Sequence, residues 1–127
     1  MKIISCACLV KENNNQLLLV RVRDNELWYL PGGKVENGEE PNHTLIRELK
    51  EELNIDIIPE SIRYLRTVIG PAYKEDANVE LICYSADWTG ELIPCSEISE
   101  VDWVDVERHE LLAPAVIQLV KSMEIHS

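Results

Sequence analysis

The chain is poor in basic side chains: 12 lysines and arginines stand against 23 aspartates and glutamates, and the net charge is −11. A protein that follows a nucleic-acid backbone needs a positively charged face, so a nucleic-acid polymer is not an expected partner. An acidic protein can nevertheless bind a phosphate compound if metal ions supply the positive charge. The composition therefore excludes a general nucleic-acid binder and leaves phosphate chemistry open.

Long apolar runs are also missing, and we expect no signal peptide at the start of the sequence. Although 46% of the residues are hydrophobic, no apolar stretch approaches the roughly 18 residues that span a bilayer. The first ten residues, MKIISCACLV, lack the charged start and the cleavage site of a signal peptide. We expect one domain over residues 1–127, located in the cytoplasm and without a membrane partner.

Cysteine is sparse and does not have the spacing of a metal or redox motif. Cys6, Cys8, Cys83 and Cys95 contain no C-x-x-C pair. Cys6 and Cys8 would share one face of a strand, where small apolar side chains pack well. The sequence therefore favours core packing for these residues over a disulfide or a metal site.

Strand and helix patterns cover the chain without a repeat, a low-complexity tract or a linker. Strands are predicted at 3–10, 16–22, 62–69, 79–86 and 101–104, with short extended segments at 27–30 and 91–93. Helices are predicted after Pro41, from Asp105 to Leu112, and from Pro114 to about Met123. This order predicts an α/β or α+β fold with a mixed sheet covered on both faces.

The stretch from Gly32 to Ile55 contains six glutamates around an amphipathic helix. Its apolar stripe repeats at spacings of three and four through Leu45, Ile46, Leu49 and Leu53. Glu48, Glu51 and Glu52 fall on an arc away from that stripe, where like charges repel by about 0.2–0.5 kcal/mol per pair. The helix dipole also disfavours negative charge near the carboxyl end of the helix.

Two interpretations of this acidic arc are open from the residues alone. A solvated acidic face is the common outcome for charges that cluster on a helix. A site for a divalent cation is the alternative, because hard cations such as Mg²⁺ take oxygen ligands and would relieve the repulsion. A Gly32-Gly33 turn just upstream offers backbone carbonyl oxygens as further ligands and favours the metal site.

The spacing of this stretch resembles the signature of the Nudix hydrolases, G-x5-E-x7-R-E-U-x-E-E-x-G-U, in which U is aliphatic. Eight of nine specified positions match over 23 residues, namely Gly33, Glu39, Arg47, Glu48, Leu49, Glu51, Glu52 and Ile55. Asn54 stands where the family has Gly. Because Asn also tolerates positive φ, we expect a small backbone cost and no loss of activity.

The resemblance to short MutT-type members implies an α/β/α sandwich, with a mixed sheet flanked by the signature helix and a C-terminal helix. It implies Mg²⁺-dependent hydrolysis, with Mn²⁺ as a substitute, of a nucleoside diphosphate linked to another group. A (deoxy)nucleoside triphosphate pyrophosphohydrolase is the leading function, and an ADP-ribose or dinucleoside polyphosphate hydrolase is the alternative. A non-catalytic regulator that binds a ligand is less favoured because all the signature glutamates are present, and a homodimer is left open.

The resemblance also implies roles for individual residues. The implied metal ligands are the Gly32 carbonyl, Glu48, Glu51, Glu52 and a loop glutamate, Glu97. Glu48 or Glu51 would act as the general base. Arg47 would be the third catalytic residue and would orient a catalytic glutamate or pair with Glu39. Gly33 and Glu39 would be structural positions of the signature. For Glu97, an ordinary solvated loop residue is the competing interpretation, and Glu100 is the fallback in the same loop.

The candidate substrate-binding residues are Lys34, Trp28, Tyr29 and Tyr73. Lys34 follows the glycine pair, where its ammonium group could reach a phosphate, although simple solvent exposure is a comparable alternative. The three aromatic residues are candidates because aromatic rings stack on nucleobases. Large aromatic side chains more often belong to the core, so each of the three has that competing interpretation.

Overall fold

The computed structural model describes residues 2–125, so Met1, His126 and Ser127 of the predicted domain lie outside the described residues. The strands are β1 (Ile3–Leu9), β2 (Glu12–Asn13), β3 (Gln16–Val22), β4 (Trp28–Tyr29), β5 (Gly32–Lys34), β6 (Asp56–Ile57), β7 (Arg63–Pro71), β8 (Asn78–Ser85), β9 (Trp88–Thr89) and β10 (Ile98–Asp105). The helices are α1 (Pro41–Leu53) and α2 (Pro114–Ile125), and short 3₁₀ turns occupy Pro59–Ser61 and His109–Leu111. Within residues 2–125, neither helix combines the length and hydropathy needed to cross a bilayer.

The strands form a mixed sheet in the order β5-β1-β8-β7 and an antiparallel sheet in the order β10-β3-β2, with β4 paired to β3. In the mixed sheet β1 and β8 run parallel, whereas β5 and β7 pair antiparallel with their neighbours. A third, two-stranded sheet joins β6 to β9. The predicted mixed sheet is confirmed.

The two helices cover opposite faces of the mixed sheet. Because successive side chains of a strand point to opposite faces, β1 contributes Ala7 and Leu9 to the α1 side and Cys8 to the α2 side, where Val10, just after the strand, also packs. The core of the α1 side includes the fully buried side chains of Leu45, Leu49 and Leu53. Burying one such side chain contributes about 1.5–3 kcal/mol. The predicted arrangement of a sheet between two helices is confirmed.

The four cysteines are free thiols and form no disulfide among the described residues. Cys8 and Cys83 are buried in the core, as the sequence predicted, and they face each other in the register of β1 and β8. Cys6 and Cys95 are half-buried.

The signature helix begins and ends where the sequence predicted. Pro41 occupies the first turn, where the missing N–H is not needed. Asn54 ends the helix in the left-handed conformation at φ 57°, and its N–H donates to the Lys50 carbonyl at 3.1 Å. The departure from Gly at this signature position therefore keeps the backbone shape that a helix end requires.

We expect Asn54→Ala to destabilise the protein by about 1 kcal/mol, because the left-handed conformation penalises residues other than Gly and Asn by that order. Asn54→Gly should stay within about 0.5 kcal/mol of the wild type, since Gly adopts this conformation freely. Urea unfolding of the three proteins measures the difference. Equal stability of the Ala and Gly variants would contradict this account of the helix end.

Two predicted elements are wrong. Residues 91–93 are not a strand, because the Ile93 N–H donates to the Leu53 carbonyl and the chain there crosses the end of α1. The short strand lies earlier, at Trp88–Thr89, where β6 offers a partner. Asp105 does not begin a helix to Leu112: its carboxylate accepts the Glu107 N–H at 2.8 Å and closes a turn.

The glycine pair differs from the predicted turn as well. Gly32 and Gly33 begin β5 and pair with Cys8 and Ala7 of β1. Their carbonyls therefore belong to an ordered strand at the edge of the mixed sheet rather than to a loop. This placement fixes the glycine pair beside α1.

Candidate functional site

The two glycines of β5 allow α1 to lie close to the sheet. A Cβ atom on Gly33 would lie 2.3 Å from the Glu48 carboxylate, and a Cβ on Gly32 would lie 2.1 Å from the Ala7 carbonyl oxygen. Gly32 has φ 142°, and its N–H donates to Glu52 Oε1 at 3.1 Å. The absence of side chains thus brings two of the signature glutamates against the backbone of β5.

Arg47 holds Glu48 from the other side. Its guanidinium donates to both oxygens of Glu39, each at 2.9 Å, and to Glu48 Oε2 at 2.7 Å. A planar guanidinium suits such a forked arrangement, which a lysine could not form. The structure shows both contacts that the resemblance implied for this arginine, one to Glu39 and one to a glutamate of the acidic arc.

Glu39 is itself fixed by several donors. Besides Arg47, its Oε1 accepts the Thr44 hydroxyl at 2.7 Å and the Glu36 N–H at 3.1 Å. The hydrogen bonds from Arg47, Thr44 and Glu36 lower the pKa of Glu39 to about 2. The sequence analysis did not identify Thr44, which is 0% exposed. The only indication in the sequence was that a polar residue stands next to the apolar stripe of the helix.

Glu52 sits in the most desolvated environment of the acidic arc. Burial raises the pKa of Glu52 to about 8, with further contributions from the negative charges of Glu48 and Glu51, while the Gly32 hydrogen bond opposes the rise. A cation placed beside this carboxylate would offset both the desolvation and the repulsion. Glu51, in contrast, has a side chain that is 57% exposed.

The chemistry of these donors fits a hard divalent cation. Within residues 2–125 no group of three acidic, histidine or cysteine side chains is arranged to enclose a metal ion. Mg²⁺ does not need such a cage, since it commonly binds through one or two carboxylates and keeps several waters. Burial raises the pKa of the neighbouring Cys6 thiol to about 11, so the site offers oxygen ligands rather than a thiolate.

We expect Gly33→Ala to weaken Mg²⁺ binding by about 10–100-fold, the usual effect of disturbing the support of a ligand. The new methyl group would displace the Glu48 carboxylate, which is the end of a flexible side chain, so the fold should survive. Isothermal titration with MgCl₂, together with circular dichroism, measures both properties. Unchanged affinity in a folded variant would show that the position of Glu48 against β5 has no role in binding the cation.

A cleft of about 370 Å³ opens beside Glu52. Its walls come from β1, β3, β8 and the start of α2, and both glycines of β5 line it. At its polar rim the Asn25 amide donates to the Tyr29 hydroxyl at 2.9 Å, and the Tyr73 hydroxyl donates to Glu26 at 2.6 Å. An apolar cleft with a few polar groups is the usual form of a small-molecule site.

Comparison with known proteins identifies the family. A family model of the NUDIX domain matches residues 1–123. The chain belongs to the Nudix family. The resemblance of the signature stretch to this family is therefore confirmed, and the match extends over residues 1–123.

Individual relatives agree with this assignment. A Nudix hydrolase of Bacillus subtilis (strain 168) is 32% identical over 104 residues, which are 78% of this chain and 63% of that protein. An 8-oxo-dGTP diphosphatase of Proteus vulgaris is 35% identical over 57 residues, or 42% of this chain and 51% of that protein. The chain thus spans less than two thirds of the length of either curated relative. The solution structure of the E. coli ORF135 protein superposes with a TM-score of 0.71 at 28% identity, covering 98% of this chain and 91% of that one.

The predicted aromatic residues of this Nudix protein divide between the cleft and the core. Tyr29 and Tyr73 line the cleft. The prediction that Trp28 binds substrate is not supported, because its side chain is only 8% exposed and packs in the core on the α2 side. The guanidinium group of Arg21 lies over the Trp28 ring, 5.3 Å from its centre. Trp28 and Tyr29 are adjacent in β4, so they point to opposite faces.

Lys34 and Glu97 lie near the site without touching its carboxylates in the described structure. Lys34 is exposed and is the cross-strand partner of Cys6, which lines the cleft, so its side chain shares that face of the sheet. Glu97 is exposed in the loop before β10, and the same loop is tied to α1 by the Cys95 N–H, which donates to the Glu52 carbonyl at 2.8 Å. The fallback residue, Glu100, forms an ion pair with Arg21.

Several cleft residues were not found from the sequence. Asn25 and Glu75 lie in loops that line the cleft, and the hydrogen bond from Tyr73 to Glu26 joins those two loops. Neither residue belongs to a spacing motif that could have indicated it. Cys6 was predicted to lie in a strand, but nothing in the sequence indicated that this strand position would lie beside the acidic arc.

Proposed function

We propose that this Nudix protein is a Mg²⁺-dependent hydrolase that cleaves a (deoxy)nucleoside triphosphate into a nucleoside monophosphate and pyrophosphate. One observation carries the proposal. The Glu52 carboxylate belongs to the acidic arc of α1 and also lines the cleft, so a molecule in the cleft would have its charged end beside the glutamates. A nucleoside triphosphate would match this site, with its phosphates next to the cation ligands and its nucleoside in the apolar cleft.

The residues of α1 and β5 have separate roles in this proposal. A bound cation would neutralise phosphate oxygens and lower the pKa of a bound water. Glu48 and Glu52 would hold it, with the Gly32 carbonyl and Glu97 as further ligands and Lys34 near the phosphates. Arg47 fixes Glu48 and is a positioning residue rather than a proton acceptor.

Glu51 is the better candidate for the general base. Glu48 accepts a 2.7 Å hydrogen bond from Arg47 and lies against Gly33 of β5, so its carboxylate is held on two sides and is less free to approach a water molecule. The nearest Arg47 nitrogen to Glu51 is 3.8 Å away, and the Glu51 side chain is more exposed, so it can approach a water molecule. A general base must reach the proton that it removes, either directly or through one water.

The size and the lining of the cleft favour a mononucleotide. A volume of about 370 Å³ is near the lower end of the range for ligand sites, roughly 300–1,000 Å³, and suits one nucleoside rather than two. The Proteus vulgaris relative is named as a diphosphatase of a nucleoside triphosphate. An ADP-ribose or dinucleoside polyphosphate hydrolase would have to place a second sugar or base outside this cleft.

A substrate panel tests the proposal. The full chain would be incubated with MgCl₂ and, separately, each nucleoside triphosphate, ADP-ribose and a dinucleoside polyphosphate, and the products separated by anion exchange. We expect monophosphate and pyrophosphate from one or more triphosphates, and no reaction with EDTA. Faster cleavage of ADP-ribose or of the dinucleoside polyphosphate would replace the proposal, and turnover of none of them would favour a protein that only binds its ligand.

A further inference from the structure

The charged residues that line the cleft are all acidic. Among the described residues that line it, two are carboxylates, Glu52 and Glu75, and none is a lysine, an arginine or a histidine. Glu52 belongs to α1 at the end where the phosphates are proposed to lie. Glu75 belongs to the loop between β7 and β8, which also carries Tyr73. The part of a ligand that enters the cleft therefore meets carboxylates in the lining, while the ammonium group of Lys74 lies over the Tyr73 ring, 5.1 Å from its centre.

The other polar groups at the rim already have partners. The Asn25 amide donates to the Tyr29 hydroxyl, and its oxygen accepts the Leu27 N–H at 3.1 Å. The Tyr73 hydroxyl is bound to Glu26. These contacts fix Asn25 and the two aromatic rings, whereas the structure gives the Glu75 carboxylate no hydrogen-bond or ion-pair partner within residues 2–125. Glu75 is thus the acceptor at the rim with unused capacity.

An ionised carboxylate accepts hydrogen bonds and cannot donate one. Adenine, cytosine and guanine each carry an exocyclic amino group that can donate to it, as cytosine N4 does to Glu or Asp in nucleic-acid recognition. Uracil and thymine present two carbonyl oxygens beside a single N–H, so a carboxylate on that edge meets like partial charge. Hydrogen bonds to charged groups are stronger than those between neutral groups. Glu75 is exposed at the rim, so a base that covers its carboxylate excludes the water that competes for this bond.

We infer that the cleft selects nucleotides whose base carries an exocyclic amino group, and that Glu75 is the residue that determines this specificity. The inference rests on the proposed function, since it places the base in the cleft and the phosphates at α1. Tyr29, together with the face of the Tyr73 ring that Lys74 does not cover, would contact the faces of the base. Every base offers such a face, so these contacts supply affinity without selecting.

The test compares kcat/KM for dATP, dCTP, dGTP and dTTP in the wild type and in Glu75→Gln. We expect at least one amino-bearing nucleotide to exceed dTTP by 10-fold or more in the wild type. A glutamine can also donate to a carbonyl oxygen, so the variant should lose most of that ratio, with a higher value for dTTP. Glu107→Gln, an exposed position outside the cleft lining, is the matched control and should keep the wild-type ratio.

Each remaining outcome decides the inference. A wild type that prefers dTTP, or that does not distinguish the four, overturns it, and an unchanged ratio in a folded Glu75→Gln variant removes Glu75 as the determinant. If no nucleotide is hydrolysed, the proposed function fails, and calorimetric binding of dAMP, dCMP, dGMP and dTMP then tests the cleft alone. In that measurement dTMP should bind at least 10-fold more weakly than the best amino-bearing monophosphate, and the gap should close in Glu75→Gln; equal binding overturns the inference.

Discussion

Glu52→Gln is expected to reduce Mg²⁺-dependent hydrolysis by at least about 100-fold, because even residues that only support metal ligands cost 10–100-fold when changed. Glu52 is proposed to hold the cation directly, and it lines the cleft where the substrate would enter. Glutamine keeps the shape of the side chain and an oxygen that can accept the Gly32 N–H. It removes a negative charge that desolvation and its neighbours disfavour, so the fold should be at least as stable without metal.

Thermal unfolding with and without MgCl₂ separates the role in binding from a structural role. The wild type should gain stability with Mg²⁺, since a ligand that binds only the folded state stabilises it, and the variant should gain little. Glu40→Gln is a suitable control, because Glu40 is an exposed carboxylate at the start of the same helix. A Glu52→Gln protein with the wild-type rate and the wild-type response to Mg²⁺ would refute the assignment of Glu52 as a metal ligand.

Arg47→Lys is expected to lower kcat by about 10–100-fold with a smaller change in KM, as for the loss of a supporting residue around a metal site. The guanidinium binds both oxygens of Glu39 and one oxygen of Glu48 at the same time. A lysine keeps the charge but has a single nitrogen, so it cannot maintain both contacts. Lys50→Arg, an exposed change on the same helix, should leave kcat unaffected.

Acid unfolding supplies a second test of the ion pair between Arg47 and Glu39. The pKa of Glu39 is lowered to about 2 in the folded protein, chiefly by the hydrogen bond from Arg47. A depressed pKa contributes stability that is complete above the unfolded value, near 4.3, and is lost as pH falls towards about 2. The loss of stability below pH 5 should therefore be shallower in Glu39→Gln and in Arg47→Lys than in the wild type. An identical acid limb in all three proteins, or an unchanged kcat in Arg47→Lys, would contradict the role given to this ion pair.

The helix boundaries illustrate which features of a fold are local. Pro41 and Asn54 mark the ends of α1 in the sequence and in the structure, because both residues act through their own backbone conformation. The wrong strand at 91–93 and the wrong helix at 105–112 were also local interpretations, but their backbone partners lie elsewhere. A hydrogen bond from Ile93 to the Leu53 carbonyl decided the first segment, and a turn closed by Asp105 decided the second.

The sequence alone determined the acidic arc, the glycine pair and the apolar alternation that places a helix on each face of the mixed sheet. Those features depend on spacing along one strand or one helix, and spacing is written in the sequence. Only the tertiary structure decided that Gly33 faces Glu48, that Tyr29 and not Trp28 reaches the cleft, and that Glu75 lies at its rim. Such contacts join residues from separate elements, and they arise from the packing of whole faces rather than from the preference of any one residue.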